Sequence, residues 1–488
     1  MRRAIAAAVA SGVVLGGALA TPALAAAHGA DRAVIKVKHA RTTVKTRAAK
    51  TAAATRTVVY SGYEFQVPAS WPVYRLDQDP QTCVRYDVNA VYLGTPGPDM
   101  KCPAGLVGRA ETVSFAPGGA AATPATGPPQ APGTPVQQLP AVHTSIIQHP
   151  AQLDLEVKLG SGGTGGTVTG TYSTSPAAVR QVLGTLRPAP SGTPDSAESA
   201  ASSPQRSSAS RAALNGRGAA AAPARAATPA ASPVYSNWRG VPPHWPVEII
   251  SPSPKPTPQP AATPVGGFDT CTAPSLTTMK AWRSDYAAVG VYIGGANTAC
   301  ASGNLSASWV KAAAALGYGM LPTYVGRQAP CWNGNGLLIK AADAAAEGAD
   351  AGADAVSDAR HFGLPKGSPV YYDMEAYVGS ASCTNAVLMF IGAWDRTVVA
   401  GGYLTGVYSS QDSGIADMQA AAVARTAGFT APDAVWFALW DNSATLADGT
   451  LAWPPTDRNK QYEGNVNATV GGITLNIDKD IVGGPVAR

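Results

Sequence analysis

Short apolar runs alternate with longer stretches of helical spacing along the C-terminal half of the chain. Strand-like runs fall at 266–269, 289–294, 318–325, 369–377, 404–410 and 434–441. Helical stretches follow the first five, at 275–286, 306–316, 336–362, 385–400 and 412–427, and short strands return near 460–462 and 474–478. Repeated strand–helix alternation predicts an α/β fold with a parallel sheet. Eight strands predict a (β/α)8 TIM-like barrel over 264–488 with shortened late helices. Upstream, the runs 58–60, 63–67, 71–76, 83–86, 90–93 and 153–157 are short and broken by Pro and Gly. They predict a small β-rich domain over 57–188, with a Pro/Gly/Ala/Thr loop at 116–135. From 189 to 263 Ser, Ala, Pro and Thr dominate, a composition that cannot bury enough apolar surface to order itself. This stretch is expected to be a linker, with one island at 235–250 that carries Trp238 and Trp245.

The first residues change the picture. Arg2-Arg3, an apolar stretch to Ala20 and the Ala23–Leu24–Ala25 end describe a secretory signal peptide over 1–25. The protein is therefore expected to be secreted or cell-wall associated. No later segment is apolar enough to span a bilayer. Residues 26–56 form a basic arm, read either as solvated and disordered or as holding the protein near an anionic envelope surface. The net charge of +5 hides this division: from Val265 onward 13 Lys and Arg face 19 Asp and Glu. A charged fraction of 14% with 52 Gly and 41 Pro excludes a coiled coil, a collagen and one continuous globule. Nucleic acid is not an expected partner of an exported chain without a recognition module. Six cysteines in an oxidising compartment imply disulfides within regions, with Cys83–Cys102 closing the β-rich domain. No Cys/His cluster suggests a metal, no motif suggests a cofactor, and a monomer is expected.

Barrel enzymes place their chemistry at the C-terminal ends of the strands. The carboxylates there are Asp269, Asp373, Glu375, Asp441 and Asp478. Asp373 and Glu375 stand two apart on one predicted strand and so share a face. Two close carboxylates in a partly apolar mouth should titrate apart, giving a general acid beside an ionised partner, as glycosidic cleavage requires. Tyr292, Tyr324, Tyr372, Tyr377, Tyr408, Trp332 and Trp440 could supply sugar-stacking surface.

Several runs carry a family resemblance. They are 267–275 (GFDTCTAPS), 289–295 (VGVYIGG), 370–375 (VYYDME), 406–410 (GVYSS), 438–441 (ALWD), Gln461-Tyr462 and Ile477-Asp478. In order and spacing they resemble the bacterial glycoside-hydrolase-like TIM-barrel family, long catalogued as a domain of unknown function. That family is in turn similar to the family 25 lysozymes. The resemblance implies that Glu375 is the general acid, Asp373 its partner carboxylate, and Asp269 and Asp478 further site aspartates, with Asp441 and Gln461 beside the substrate. One departure is Thr270–Pro274, where family 25 lysozymes carry Val-Ser and a nearby Gln. Cys271, Cys300, Cys331 and Cys383 follow the first four strands in turn, so Cys271–Cys300 and Cys331–Cys383 are the expected pairs. Three functions compete: a secreted glycosidase acting on peptidoglycan or a related polysaccharide, a non-catalytic glycan-binding barrel, and a structural envelope protein.

Overall fold

A computed structural model of the chain describes residues 54–118, 133–150, 152–160, 165–197, 263–447 and 451–488. The predicted signal peptide, nearly all of the basic arm, the centre of the Pro/Gly loop, and the linker from 198 to 262 lie outside the described residues.

The β-rich part holds two sheets. Strands β1 (Thr55–Tyr60) and β2 (Tyr63–Pro68) pair antiparallel, and β2 is flanked by the short β10 (Arg187–Pro188). The second sheet contains β3 (Val73–Arg75), β4 (Ala90–Leu93), β5 (Thr112–Pro117), β6 (Thr134–Leu139), β7 (Thr144–His149), β8 (Asp154–Leu159) and β9 (Gly166–Thr171). Its order is β3-β4-β5-β9-β8-β7-β6, parallel over the first three strands and antiparallel beyond. Alternation buries Phe65 and Val67 of β2 and Leu155 and Val157 of β8 in one core. Helix α1 (Ala177–Leu183) closes that core with Val179, Val182 and Leu183.

Strand β9 and helix α1 were not expected, and they explain each other. The sequence GTVTGT lacks the large apolar residues that announce a strand. The helix needs that lack: a Cβ on Gly170 would stand 2.1 Å from Cγ1 of Val179. Past the end of β10, Ser196 Oγ accepts from the Val59 N–H at 2.8 Å and Asp195 Oδ1 from the Ser61 N–H at 3.0 Å, so these two residues are tied to β1 and the turn that follows it.

The C-terminal region is a closed eight-stranded barrel. Its strands are β11 (Val265–Asp269), β12 (Ala288–Gly294), β13 (Gly319–Tyr324), β14 (Pro369–Asp373), β15 (Leu404–Ser410), β16 (Ala434–Ala438), β17 (Arg458–Val470) and β18 (Ile473–Val482). The helices are α2 (Leu276–Trp282), α3 (Ala307–Ala315), α4 (Ala344–His361), α5 (Ala381–Ala400) and α6 (Ala416–Ala424), one after each of the first five strands. The expected (β/α)8 pattern is therefore corrected. Strands β11 to β17 run parallel, but β18 is antiparallel to both β17 and β11, and the only helical piece among the described residues between β16 and β17 is a short 3-10 turn. A two-residue Gly471–Gly472 turn, both at positive φ, makes β17 and β18 a hairpin, which leaves no length for a crossover helix.

Ser275, Ser306 and Ser380 cap the starts of α2, α3 and α5 by accepting the N–H three residues on, each worth about 1 kcal/mol. Inside the barrel Leu321, Tyr371, Tyr408, Trp436 and Val482 fill the axis, while Phe268, Trp282, Tyr372, Phe390 and Trp394 pack between strands and helices. All three expected disulfides are present: Cys83–Cys102, Cys271–Cys300 and Cys331–Cys383. They close loops worth on the order of 3 to 4 kcal/mol each in the chain-entropy account.

Residues Ala53–Arg488 form one contact unit, so the β-rich part and the barrel are docked. The predicted strand at 83–86 accounts for much of this. It pairs with a barrel loop rather than its own sheet: Arg85 bridges Cys300, and Tyr86 N–H donates to the Ala299 carbonyl at 2.7 Å. A shared core joins Tyr74, Tyr86, Tyr92 and Cys102 to Cys271 and Cys300. Arg109, fully buried, donates to the carbonyls of Thr298 at 2.7 Å and Gln152 at 2.8 Å.

Near Arg109, burial raises the Asp154 carboxyl from 3.8 to about 6, against the pull of His149 and Arg109. The folded chain thus holds this proton to higher pH than the unfolded chain does. The group's contribution is lost as pH climbs from about 4 to about 6. Asp154→Asn is expected to exceed the wild type by about 3 kcal/mol at pH 8 and to match it below pH 4. Urea denaturation of both proteins at pH 3.5 and pH 8 checks this.

Candidate active site

Strand ends converge as barrel topology dictates. Asp269 is the last residue of β11 and lies opposite Asp478 of β18, and both carboxylates are buried. Gln461 of β17 joins them: its Nε2 donates to Asp269 Oδ2 at 2.8 Å and to Asp478 Oδ2 at 3.1 Å. The amide can face only this way, because its Oε1 accepts from Tyr408 Oη and Trp440 Nε1, each at 2.9 Å. Tyr292 Oη donates to Asp269 Oδ1 at 3.4 Å, and the Asn465 N–H donates to Asp478 Oδ1. Gly464 makes room for the Trp440 indole, since a Cβ there would lie 2.0 Å from the ring. Six of the residues expected at the site thus form one network: Asp269, Asp478, Gln461, Tyr292, Tyr408 and Trp440.

One member of this cluster was missed. Asp480 lies two residues beyond Asp478 on the same face of β18, and Trp436 Nε1 donates to its Oδ1 at 3.0 Å. Burial, then the charges of Asp269 and Asp478, hold its carboxyl well above the usual range. A buried acid kept neutral beside Asp269 can donate to that carboxylate. The two-residue period that linked Asp373 to Glu375 could have found it.

Asp373 ends β14, and Glu375 stands just past the strand rather than on it, contrary to the expected strand to 377. Both are buried. What sets their spacing is a second missed residue, Gln328, fully buried in the loop after β13. Its Nε2 donates to the Asp373 carbonyl at 2.8 Å, and its Oε1 accepts the Glu375 N–H at 2.7 Å. No periodic signal marks Gln328, because it sits in irregular chain. Gln328→Leu would leave two buried backbone groups unsatisfied. It is expected to cost about 2 to 4 kcal/mol, read as a fall in the urea midpoint.

The other expected residues fall elsewhere. Tyr372 points to the helices, its ring 5.2 Å from Phe390 and its Oη donating to the Arg327 carbonyl at 2.7 Å. Tyr324 Oη donates to Asp354 of α4 at 2.8 Å, and Tyr377 Oη to Asp417 of α6 at 2.7 Å. Trp332 is half-buried beside the Cys331–Cys383 disulfide. Asp441 is exposed and pairs with Lys460 Nζ at 2.9 Å. None of these five joins the network around Gln461. Strand parity separates Tyr372 from the barrel axis: Tyr371 and Asp373 take the inward positions.

Residues 280–482 match the family model described as the Rv2525c-like, glycoside hydrolase-like domain, the family that the sequence motifs resembled. The match runs from within α2 to the end of β18 and leaves Asp269 outside. Among solved structures, an uncharacterized protein of B. stearothermophilus is 20% identical, with a TM-score of 0.33, over 45% of this chain and 95% of that one. The Tat-secreted protein Rv2525c of Mycobacterium tuberculosis is 14% identical, with a TM-score of 0.33, over 46% of this chain and 96% of that one. The spore cortex lytic enzyme SleM of Clostridium perfringens is 10% identical, with a TM-score of 0.32, over 46% of this chain and 68% of that one. No curated protein matches the chain.

Proposed function

We propose that the chain is a secreted glycoside hydrolase that cleaves cell-wall glycan, peptidoglycan or a related polysaccharide, on a shortened variant of the (β/α)8 barrel. Glu375 protonates the glycosidic oxygen, which leaves with one sugar, Asp373 stabilises the positive charge that develops on the ring whose anomeric carbon loses that oxygen, and water adds to that carbon, its proton returning to Glu375. Asp269 and Asp478, tied through Gln461, hold the sugar beside them, with Tyr292, Tyr408 and Trp440 around it. The observation that carries this reading is the convergence of buried carboxylates at the strand ends, with Gln328 pinning the Asp373–Glu375 segment. The protein acts as a monomer, held near the anionic envelope by its basic arm. Incubating the full chain with peptidoglycan and a panel of neutral polysaccharides tests the reading. New reducing ends from peptidoglycan are expected, and glycan bound but left intact throughout would favour a binding protein.

A further inference from the structure

A cavity of about 710 Å3 lies where the β-rich part meets the barrel, within the size range of small-molecule sites. Pro150 and Leu153 of the β-rich part form one wall. Gly326, Arg327 and Leu337, from the loop after β13, form a second, and Asp350 and Asp354 of α4 a third. The barrel alone does not close it. Leu153 holds a left-handed backbone, φ 55°, which is costly for a residue with a side chain and recurs at ligand sites.

The lining suits a sugar. Pro150, Leu153 and Leu337 offer apolar faces to C–H groups, the Asp350 and Asp354 carboxylates offer acceptors to hydroxyls, and the Arg327 guanidinium offers donors. Arg327 is already engaged by Glu347 at 3.3 Å, so the cavity is net acidic and disfavours a uronic acid. The loop also links the cavity to the catalytic segment. Gly326 and Arg327 line the cavity, and the next residue, Gln328, grips Asp373 and Glu375.

We propose that this cavity is an accessory saccharide subsite, completed only by the docked β-rich part. It takes an uncharged or amino sugar unit of the glycan chain that reaches Glu375, and so makes the protein prefer long chains. The role of Glu375 rests on the hydrolase reading above; the subsite itself is tested by binding.

The full chain would be titrated calorimetrically with N-acetylglucosamine oligomers of two and six units. The wild type is expected to bind the hexamer more tightly than the dimer. Ala353→Trp, at an exposed cavity position, and Asp350→Lys, also exposed, are each expected to weaken hexamer binding about tenfold and leave dimer binding unchanged. Two substitutions guard against one that misfolds, with wild-type melting as the criterion. Hexamer binding unchanged in both variants, or no length dependence in the wild type, overturns the subsite. Length-dependent binding, together with peptidoglycan left uncleaved by the same wild-type protein, overturns the hydrolase reading and leaves the subsite standing.

Discussion

Glu375→Gln is expected to cut glycan hydrolysis by about 10^2 to 10^4-fold while leaving binding within about twofold, the range ascribed to a positioned general acid. The substitution keeps shape and removes only the transferable proton. It also spares the contact that positions residue 375, because Gln328 holds its backbone N–H rather than its carboxylate. Initial rates of reducing-end release, with melting curves as the folding control, read the effect. A loss below about fivefold would remove Glu375 from the acid role.

Arg109→Ala carries the largest expected effect on stability, a loss of about 3 to 5 kcal/mol in urea denaturation. Burial pushes this guanidinium down to about 10, so it stays charged at neutral pH. Its two hydrogen bonds tie Gln152 of the β-rich part and Thr298 of the barrel, and its charge lies 5.3 Å from the centre of the Tyr86 ring. Truncation leaves both buried carbonyls without that donor. A loss under 1 kcal/mol would mean that the junction is held by the Tyr74, Tyr92 and Cys271 core instead.

The barrel was legible because its strands are short buried runs and its helices keep an apolar stripe, so length and period both spoke. The β17–β18 hairpin was read as two fragments, near 460–462 and 474–478, because their outer segments are polar and half-exposed. That concealed the antiparallel closure. Asp269 and Asp478 are legible because motif and strand-end logic agree on them, whereas Gln461 is carried by the motif resemblance alone. Tyr324 and Tyr372 were placed beside the sugar because aromatic content was counted without strand parity. The docking of the two parts could not be read at all. It depends on 83–86 pairing with a loop some two hundred residues away and on a buried Arg109 bonded to carbonyls, neither of which leaves a local pattern.

The central claim is that this barrel adds water across a glycosidic bond. Digestion of peptidoglycan in 18O-labelled water, followed by mass spectrometry of the released fragments, tests it most directly. One 18O atom at each new reducing end, absent with Glu375→Gln, is the predicted result. Fragments without label, or glycan recovered intact from the wild-type protein, would contradict it.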